Sequence, residues 1–154
     1  MNENENRWRV YRATFDTNLF VRTLIRKGNL PNYLLSLWET GRFVLVLSQV
    51  IIDEVQKVLS RPKMRLKHHY TLDEVANLID LLSQASVIEI TSSFELCRDA
   101  SDNKFVECVI LGRAHFLVSY DNDLIDDAEL KQALFEFGVE IVDPPIFLEK
   151  IQET

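Results

Sequence analysis

The stretch Ala13-Thr14-Phe15-Asp16-Thr17-Asn18-Leu19-Phe20 decides the fold, because a strand pattern ends in it and a helix pattern begins in it. An apolar run with strand-forming residues stops at Asp16, and helical spacing of apolar residues starts two residues later. Asp16 is therefore predicted at the carboxyl edge of a strand, where open α/β sheets bind their ligands. Asp is also a good N-cap residue, so this stretch alone leaves a capping role equally open.

The same alternation of strand and helix continues through the chain. Phe43-Val44-Leu45-Val46-Leu47 is an unbroken apolar run, which favours a strand covered on both faces. Strands are predicted at 9–15, 43–47, 87–90, 116–119 and 139–142, and helices at 18–27, 49–59, 71–84, 102–113 and 129–137, with others after Pro31, near 63–68 and after Pro144. This order predicts a three-layer α/β/α sandwich with a mainly parallel central sheet.

The composition is that of a globular protein, with 47% hydrophobic and 27% charged residues among 154. We expect a flexible tail at 1–8, a single domain at 9–150 and a short C-terminal end at 151–154. The polar start does not resemble a signal peptide, and no apolar run approaches the ~20 residues that span a bilayer, which predicts a cytoplasmic protein without membrane contact. Cys97 and Cys108 lack metal-ligand spacing and are predicted to be reduced core thiols.

A net charge of −7 is not typical of a general nucleic-acid binder. Either a solvated acidic surface or carboxylates gathered around a cation could produce it. Glu54 bears on this choice, because at ~100° per residue it lies at the margin of the buried face of its helix, whereas Asp53 faces solvent. An ordinary boundary position remains the alternative for Glu54.

Three further acidic positions are predicted at the same edge as Asp16. Asp102 shares the inward face of its helix with Phe105, although it could simply be a first-turn acid favoured by the helix dipole. Asp121 and Asp123 follow a buried strand, as Asp16 does. Because the carboxyl ends of parallel strands share one edge, these side chains should meet there, with Glu54 reaching in from its helix.

Four or five neighbouring carboxylates repel one another, so they need raised pKa values or a cation. Ligands that are all oxygen select hard cations. The sequence therefore predicts a site for one or two Mg²⁺ or Mn²⁺ ions. The most central ligands should be Asp16, Asp102 and Asp121.

Four segments together resemble the PIN domain family, especially its stand-alone bacterial branch, the toxin components of toxin–antitoxin pairs. The segments are 15–18, 48–54, 98–105 and 119–124, and the ending 139–144 fits as well. The resemblance covers residues 9–150 and implies a PIN-like fold, cleavage of single-stranded RNA with a divalent metal, and a cognate antitoxin protein. It assigns the acidic quartet to Asp16, Glu54, Asp102 and Asp121, with Asp123 close by and Asn18 supporting the first carboxylate.

Tyr120 and Ala100 depart from the family pattern, which often has glycine and proline there, and Tyr120 could narrow the cleft or stack on a base. His68, His69 and His115 are poor candidates for catalysis, so hydrolysis should depend on the metal. RNA contacts are predicted for a basic rim within 57–69, although solvated helix surface explains those charges equally well. The residues predicted to contact RNA are Arg22, Arg61, Lys63, Arg65, Lys104 and Tyr120.

Two other functions compete with a ribonuclease. A doubly wound phosphohydrolase or phosphoacceptor domain also has Asp after its first strand. The phosphohydrolase needs a second Asp at the position where this chain has Asn18. The phosphoacceptor domain needs a Lys at the end of a late strand, and this chain lacks it. A non-catalytic RNA- or protein-binding module is the other alternative. Apolar residues of the helix after Pro31 form either a homodimer face or core; they are Leu30, Tyr33, Leu37 and Trp38.

Overall fold

A computed structural model describes residues 10–152. The predicted tail at 1–8, the first residue of the first predicted strand, and residues 153–154 lie outside the described part. Five strands form one sheet in the order β3-β2-β1-β4-β5, and every neighbouring pair is parallel. The strands are β1 (Arg12–Phe15), β2 (Val44–Ser48), β3 (Ser86–Ile88), β4 (Phe116–Val118) and β5 (Glu140–Val142).

Helices connect these strands, as the alternating pattern predicts. They are α1 (Thr17–Ile25), α2 (Leu30–Glu39), α3 (Gln49–Leu59), α4 (Pro62–His68), α5 (Leu72–Leu82), α6 (Asn103–Leu111), α7 (Asn122–Ile125), α8 (Ala128–Glu136) and α9 (Pro144–Gln152). Within residues 10–152, no helix is both long enough and apolar enough to cross a lipid bilayer. Ile151 is buried, so α9 extends the packed core beyond the predicted boundary at 150.

Side chains of β1 alternate between the two faces of the sheet. Phe15 packs against Phe20 of α1 and Phe147 of α9, with ring centroids 5.7 Å apart in both pairs. On the other face, the hydroxyl of Thr14 lies 3.5 Å from the sulfur of Cys108 on α6. Helices therefore cover both faces, and the predicted three-layer sandwich with a parallel sheet is confirmed.

The strand order places a topological switch point between β1 and β4. The chain runs outward from β1 through β2 to β3, then returns to the other side of β1 for β4 and β5. In an open α/β sheet, ligands bind in the crevice beyond the carboxyl ends of two such strands. Asp16 follows β1 directly, and Ser119 and Asp121 follow β4, so these three residues lie at that crevice.

The end of α6 packs closely against the sheet because Gly112 follows it. A Cβ atom at Gly112 would lie 2.4 Å from Cγ1 of Val46 and 2.7 Å from the carbonyl oxygen of Cys108. The guanidinium of Arg12 donates to the Gly112 carbonyl at 2.9 and 3.1 Å. His115 accepts a hydrogen bond from the Arg12 backbone at 2.9 Å, which gives this histidine a structural role.

Some details of the predicted structure were wrong. The predicted helix 102–113 begins instead as a 3-10 turn, Ala100–Asp102, before α6, and the short helix α7 was not predicted. An apolar side chain is not always inward: the apolar run of α3 includes Val50, which is 55% exposed because at ~100° per residue it lies opposite the buried Leu59.

The remaining predictions concern thiols and the surface of α2. Cys97 is only half-buried, whereas Cys108 is a core thiol, and both are free. On α2, Tyr33 is 47% exposed while Leu37 and Trp38 are half-buried. The homodimer face stays a prediction.

Candidate active site

A cavity of about 140 Å³ opens at the switch point, and the predicted carboxylates line it. Asp16 comes from the end of β1, Glu54 from the middle of α3, Asp102 from the turn before α6, and Asp121 from the segment after β4. The structure therefore brings together four side chains that are far apart in the sequence. The remaining lining residues are Thr17, Asn18, Val58, Ser101, Lys104 and Phe105.

Asp16 caps α1 and also lines the cavity at the carboxyl end of β1. Its Oδ1 accepts hydrogen bonds from the backbone N–H groups of Asn18 at 2.8 Å and Leu19 at 3.3 Å, and so caps α1. Its Oδ2 accepts a hydrogen bond from the hydroxyl of Ser119. Only 4% of Asp16 is exposed, and this burial raises its pKa in spite of those donors, with a further rise from the charge of Asp121.

Ser119 joins the two strand ends and was missed by the sequence analysis. Its hydroxyl donates to Asp16 and accepts the backbone N–H of Asp121 at 2.9 Å. Ser119 is fully buried, so both contacts are protected from water. The only signal in the sequence was its position directly after a buried strand, which any small polar residue would satisfy.

Glu54 is held by two neighbours on the wall of the cavity. Thr17 donates its hydroxyl hydrogen to Oε2 of Glu54, and the Nζ of Lys104 lies 2.9 Å from Oε1. The side chains of Lys104 and Glu54 are 18% and 33% exposed, so this ion pair is partly screened from water. Lys104, predicted as an RNA contact, is thus paired with a carboxylate inside the site.

Asp102 carries the clearest mark of crowded negative charge. Partial burial is the main cause that raises its pKa to about 6, and the charges of Asp99, Asp121 and Asp16 add to the rise. The positive charge of Lys104 acts in the opposite direction. Asp99 caps the 3-10 turn by accepting from the backbone of Ser101 at 2.9 Å, and the Asp102 carboxylate makes no capping hydrogen bond.

These residues fit a hard divalent cation by their chemistry. Asp16, Asp102 and Asp121 offer oxygen donors alone, and their mutual repulsion is what a cation would relieve. No three histidine, cysteine or carboxylate side chains among residues 10–152 are grouped tightly enough to hold an ion as they stand.

Two predicted supporting residues differ from the quartet. Asn18 lines the cavity, but it supports Asp16 through its backbone N–H rather than its side chain. Asp123 is exposed in the first turn of α7 and is not among the lining residues, and its backbone N–H donates to Oδ1 of Asp121. The structure does not bring Asp123 to the other carboxylates.

Among the residues predicted to contact RNA, Lys104 alone lines the acidic cavity. Arg61 and Lys63 are exposed at the start of α4, and the backbone N–H of Arg61 donates to the carbonyl of the lining residue Val58 at 3.3 Å. Arg65 is half-buried, and its Nε has no hydrogen-bond partner within the described chain. Arg22 lies over the ring of Tyr120, 4.5 Å from the centroid, and neither residue lines the acidic cavity.

An all-parallel α/β sandwich with carboxylates gathered at its switch point is the arrangement of a PIN domain, and residues 12–123 match the PIN domain family. The chain therefore belongs to the PIN domain family, whose members are generally nucleases that use divalent metals. The chain is also similar to the uncharacterized protein MJ1680 of the archaeon Methanocaldococcus jannaschii. The two are 26% identical over 145 residues, which cover 92% of each chain.

Proposed function

We propose that this PIN domain is a Mg²⁺- or Mn²⁺-dependent endoribonuclease that cleaves single-stranded RNA. The supporting observation is the convergence of Asp16, Glu54, Asp102 and Asp121 on one cavity at the switch point. If each acid only stabilised its own helix, the four side chains would have no reason to line the same cavity. The membership of the chain in a family of nucleases supports the same activity.

Asp16, Asp102 and Asp121 would hold one or two divalent ions, with Glu54 nearby. A bound ion of this kind supplies an activated water and stabilises the leaving oxygen of a phosphodiester. Ser119 and the N-terminus of α1 fix the orientation of Asp16, so its carboxylate is preorganised for a ligand. Lys104 holds Glu54 against the wall and offers positive charge to a phosphate that enters the cavity.

An acidic protein needs local positive charge to bind a polyanion. Arg61 and Lys63 supply it beside Val58, and we assign them to a phosphate-binding rim. Lys57 and Lys67, both exposed, extend this positive charge along the same segment. Arg65 contributes less to the rim because its side chain is half-buried.

A toxin role, with an antitoxin protein that blocks the cavity, belongs to the same proposal. So do a cytoplasmic location and a homodimer formed through α2. The resemblance of segments 15–18, 48–54, 98–105 and 119–124 to stand-alone PIN toxins supports the toxin role. The toxin role is tested by expression in cells. The parent chain should arrest growth, and the Asp16→Asn chain should not.

Cleavage of a labelled single-stranded RNA in Mn²⁺ tests the activity itself. The chain should cleave it, while EDTA and Asp16→Asn should each abolish cleavage. Asp53→Asn is the matched control, because Asp53 lies one residue from Glu54 but is exposed away from the cavity. Duplex RNA and single-stranded DNA of the same sequence should remain intact. Equal cleavage by the parent chain and Asp16→Asn would refute the nuclease assignment.

The competing phosphoacceptor function has its own test on the same protein. Beryllofluoride binds an acceptor aspartate as a phosphate mimic, and we expect no adduct at Asp16. Asn18 stands where a phosphohydrolase has its second aspartate, and the lysine that an acceptor domain needs at a late strand end is missing.

A further inference from the structure

A second cavity, of about 240 Å³, lies beside the acidic one. It is bounded by Arg22, Ile25 and Arg26 of α1, by the start of α2, and by Tyr120. Tyr120 stands between Ser119, which holds Asp16, and Asp121, which lines the acidic cavity. Two consecutive residues, Tyr120 and Asp121, therefore line the two cavities.

The chemistry of this second cavity combines a flat aromatic surface with positive charge. The guanidinium of Arg22 lies 4.5 Å from the centroid of the Tyr120 ring. Arg22 and Arg26 are exposed, and within residues 10–152 neither forms an ion pair. Two uncompensated arginines are notable in a chain of net charge −7.

A nucleotide presents what these groups recognise. Unpaired bases of RNA stack on aromatic rings and on guanidinium planes, while arginine binds phosphate. The apolar side chain of Ile25 would cover an edge of the base. An acidic peptide would use the two arginines but would have no need of the Tyr120 ring.

We propose that this cavity binds the nucleotide next to the scissile bond, with its base stacked on the Tyr120–Arg22 pair and its phosphate contacted by Arg26. This inference depends on the proposed ribonuclease function, because it takes the acidic cavity as the cleavage site. Tyr120 is then a specificity residue, and RNA is held on both sides of the carboxylates: here and at the rim of Arg61 and Lys63.

The test measures binding without cleavage, on the full chain carrying Asp16→Asn, with a single-stranded RNA that contains 2-aminopurine. Stacking quenches the fluorescence of this base. Tyr120→Leu should weaken binding roughly tenfold and abolish quenching, because one base–aromatic stack is lost. Tyr120→Phe is the matched control and should keep both. Full affinity and quenching in Tyr120→Leu, or equal loss in Phe and Leu, would overturn the inference.

Arg22→Lys provides a second variant at an exposed position where folding is not at risk. It keeps the charge but loses the guanidinium plane, so quenching should fall while the salt dependence of binding is retained. If both arginines matter for affinity and Tyr120 does not, the cavity binds acidic groups and the inference is wrong.

Cleavage by a Tyr120→Leu chain with unchanged site preference would overturn the inference and leave the ribonuclease function intact. Tyr120-dependent quenching without any cleavage by the parent chain would leave a nucleotide-binding cavity but refute the ribonuclease function, and with it the placement of this nucleotide next to a scissile bond.

Discussion

The hydroxyl of Ser119 donates a hydrogen bond to the carboxylate of Asp16, across 103 positions of the sequence. The two residues follow adjacent parallel strands, so this bond joins the carboxyl ends of β1 and β4. The same hydroxyl accepts the backbone N–H of Asp121. One small side chain thus sets the spacing between two of the proposed metal ligands.

Ser119→Ala should lower the free energy of unfolding by about 1–3 kcal/mol at pH 7 in EDTA. It leaves the backbone N–H of Asp121 and one oxygen of Asp16 without their buried partner. Urea denaturation measures this change. Ser36→Ala, at an exposed serine of α2, is the control and should shift the value by less than about 0.5 kcal/mol. Equal shifts in the two variants would show that Ser119 has no special role.

Asp102→Asn should stabilise the metal-free protein at pH 8 and have no effect near pH 4. The folded chain keeps the Asp102 proton up to a pKa of about 6, whereas the ordinary value is 3.8. The folded state therefore binds more protons between these values, and the free energy of unfolding falls as pH rises through this range. The substituted asparagine cannot ionise, so the Asp102→Asn variant does not show this fall. At pH 8 its free energy of unfolding should therefore exceed that of the parent chain by about 1 kcal/mol, after allowance for solvent screening.

Denaturation at several pH values in EDTA measures the Asp102 effect. Asp80→Asn, at an exposed position on α5, is the matched control and should leave the pH profile unchanged. The raised pKa of Asp16 acts in the same direction, so part of the slope remains in the Asp102 variant. A difference between Asp102→Asn and the parent chain that does not vary with pH would contradict the prediction.

Mn²⁺ should stabilise the folded chain through the acidic cavity. At about 100 times the dissociation constant, binding to the native state alone adds about 2.7 kcal/mol to the free energy of unfolding. Asp121→Asn should remove most of this gain, because Asp121 lines the cavity, whereas Asp123→Asn should keep it. Thermal melts with and without Mn²⁺ measure both variants. If Mn²⁺ fails to stabilise the Asp123→Asn variant, then Asp123 does take part in metal binding.

Arg61→Glu combined with Lys63→Glu should weaken RNA binding and flatten its salt dependence. Loss of two phosphate contacts reduces the slope of log K against log salt by roughly 1.4 for a single strand. Filter binding at several salt concentrations, in the Asp16→Asn background, measures this slope. Arg113→Glu combined with Lys131→Glu changes the net charge equally at exposed positions away from the cavity. Equal slopes for the two double variants would show that Arg61 and Lys63 do not form a phosphate-binding rim.

Gly112→Ala should destabilise the fold by about 1–3 kcal/mol, because the added methyl overlaps Val46 and the Cys108 carbonyl. Urea denaturation measures this loss. Val46→Ala removes one of the overlapping groups, so adding it to Gly112→Ala should cost less than it does in the parent chain. Additive losses in the double variant would show that the close approach is relieved in some other way.

The parts of the site that a strand or helix pattern defines were predictable from the sequence. Asp16 lies where one pattern ends and another begins, and α3 has the predicted bounds of 49–59. Because Glu54 sits at a fixed angle from the buried positions of α3, its half-buried place on the cavity wall followed from helix geometry.

The parts that depend on tertiary contacts were not predictable in this way. Ser119, Thr17 and the pairing of Lys104 with Glu54 act across 37 to 103 residues, and no periodicity encodes them. Asp123 was grouped with Asp121 by proximity in sequence. In the structure Asp121 is the N-cap residue of α7 and lines the cavity, whereas Asp123 is exposed in the first turn of that helix.

The cavity draws its walls from residues 16 to 121, so it exists only once β1 and β4 lie side by side. A chain still emerging from the ribosome has synthesised Asp16, Glu54 and Asp102 long before Asp121 leaves the exit tunnel. The proposed site therefore cannot form on a nascent chain until Asp121 has left the exit tunnel.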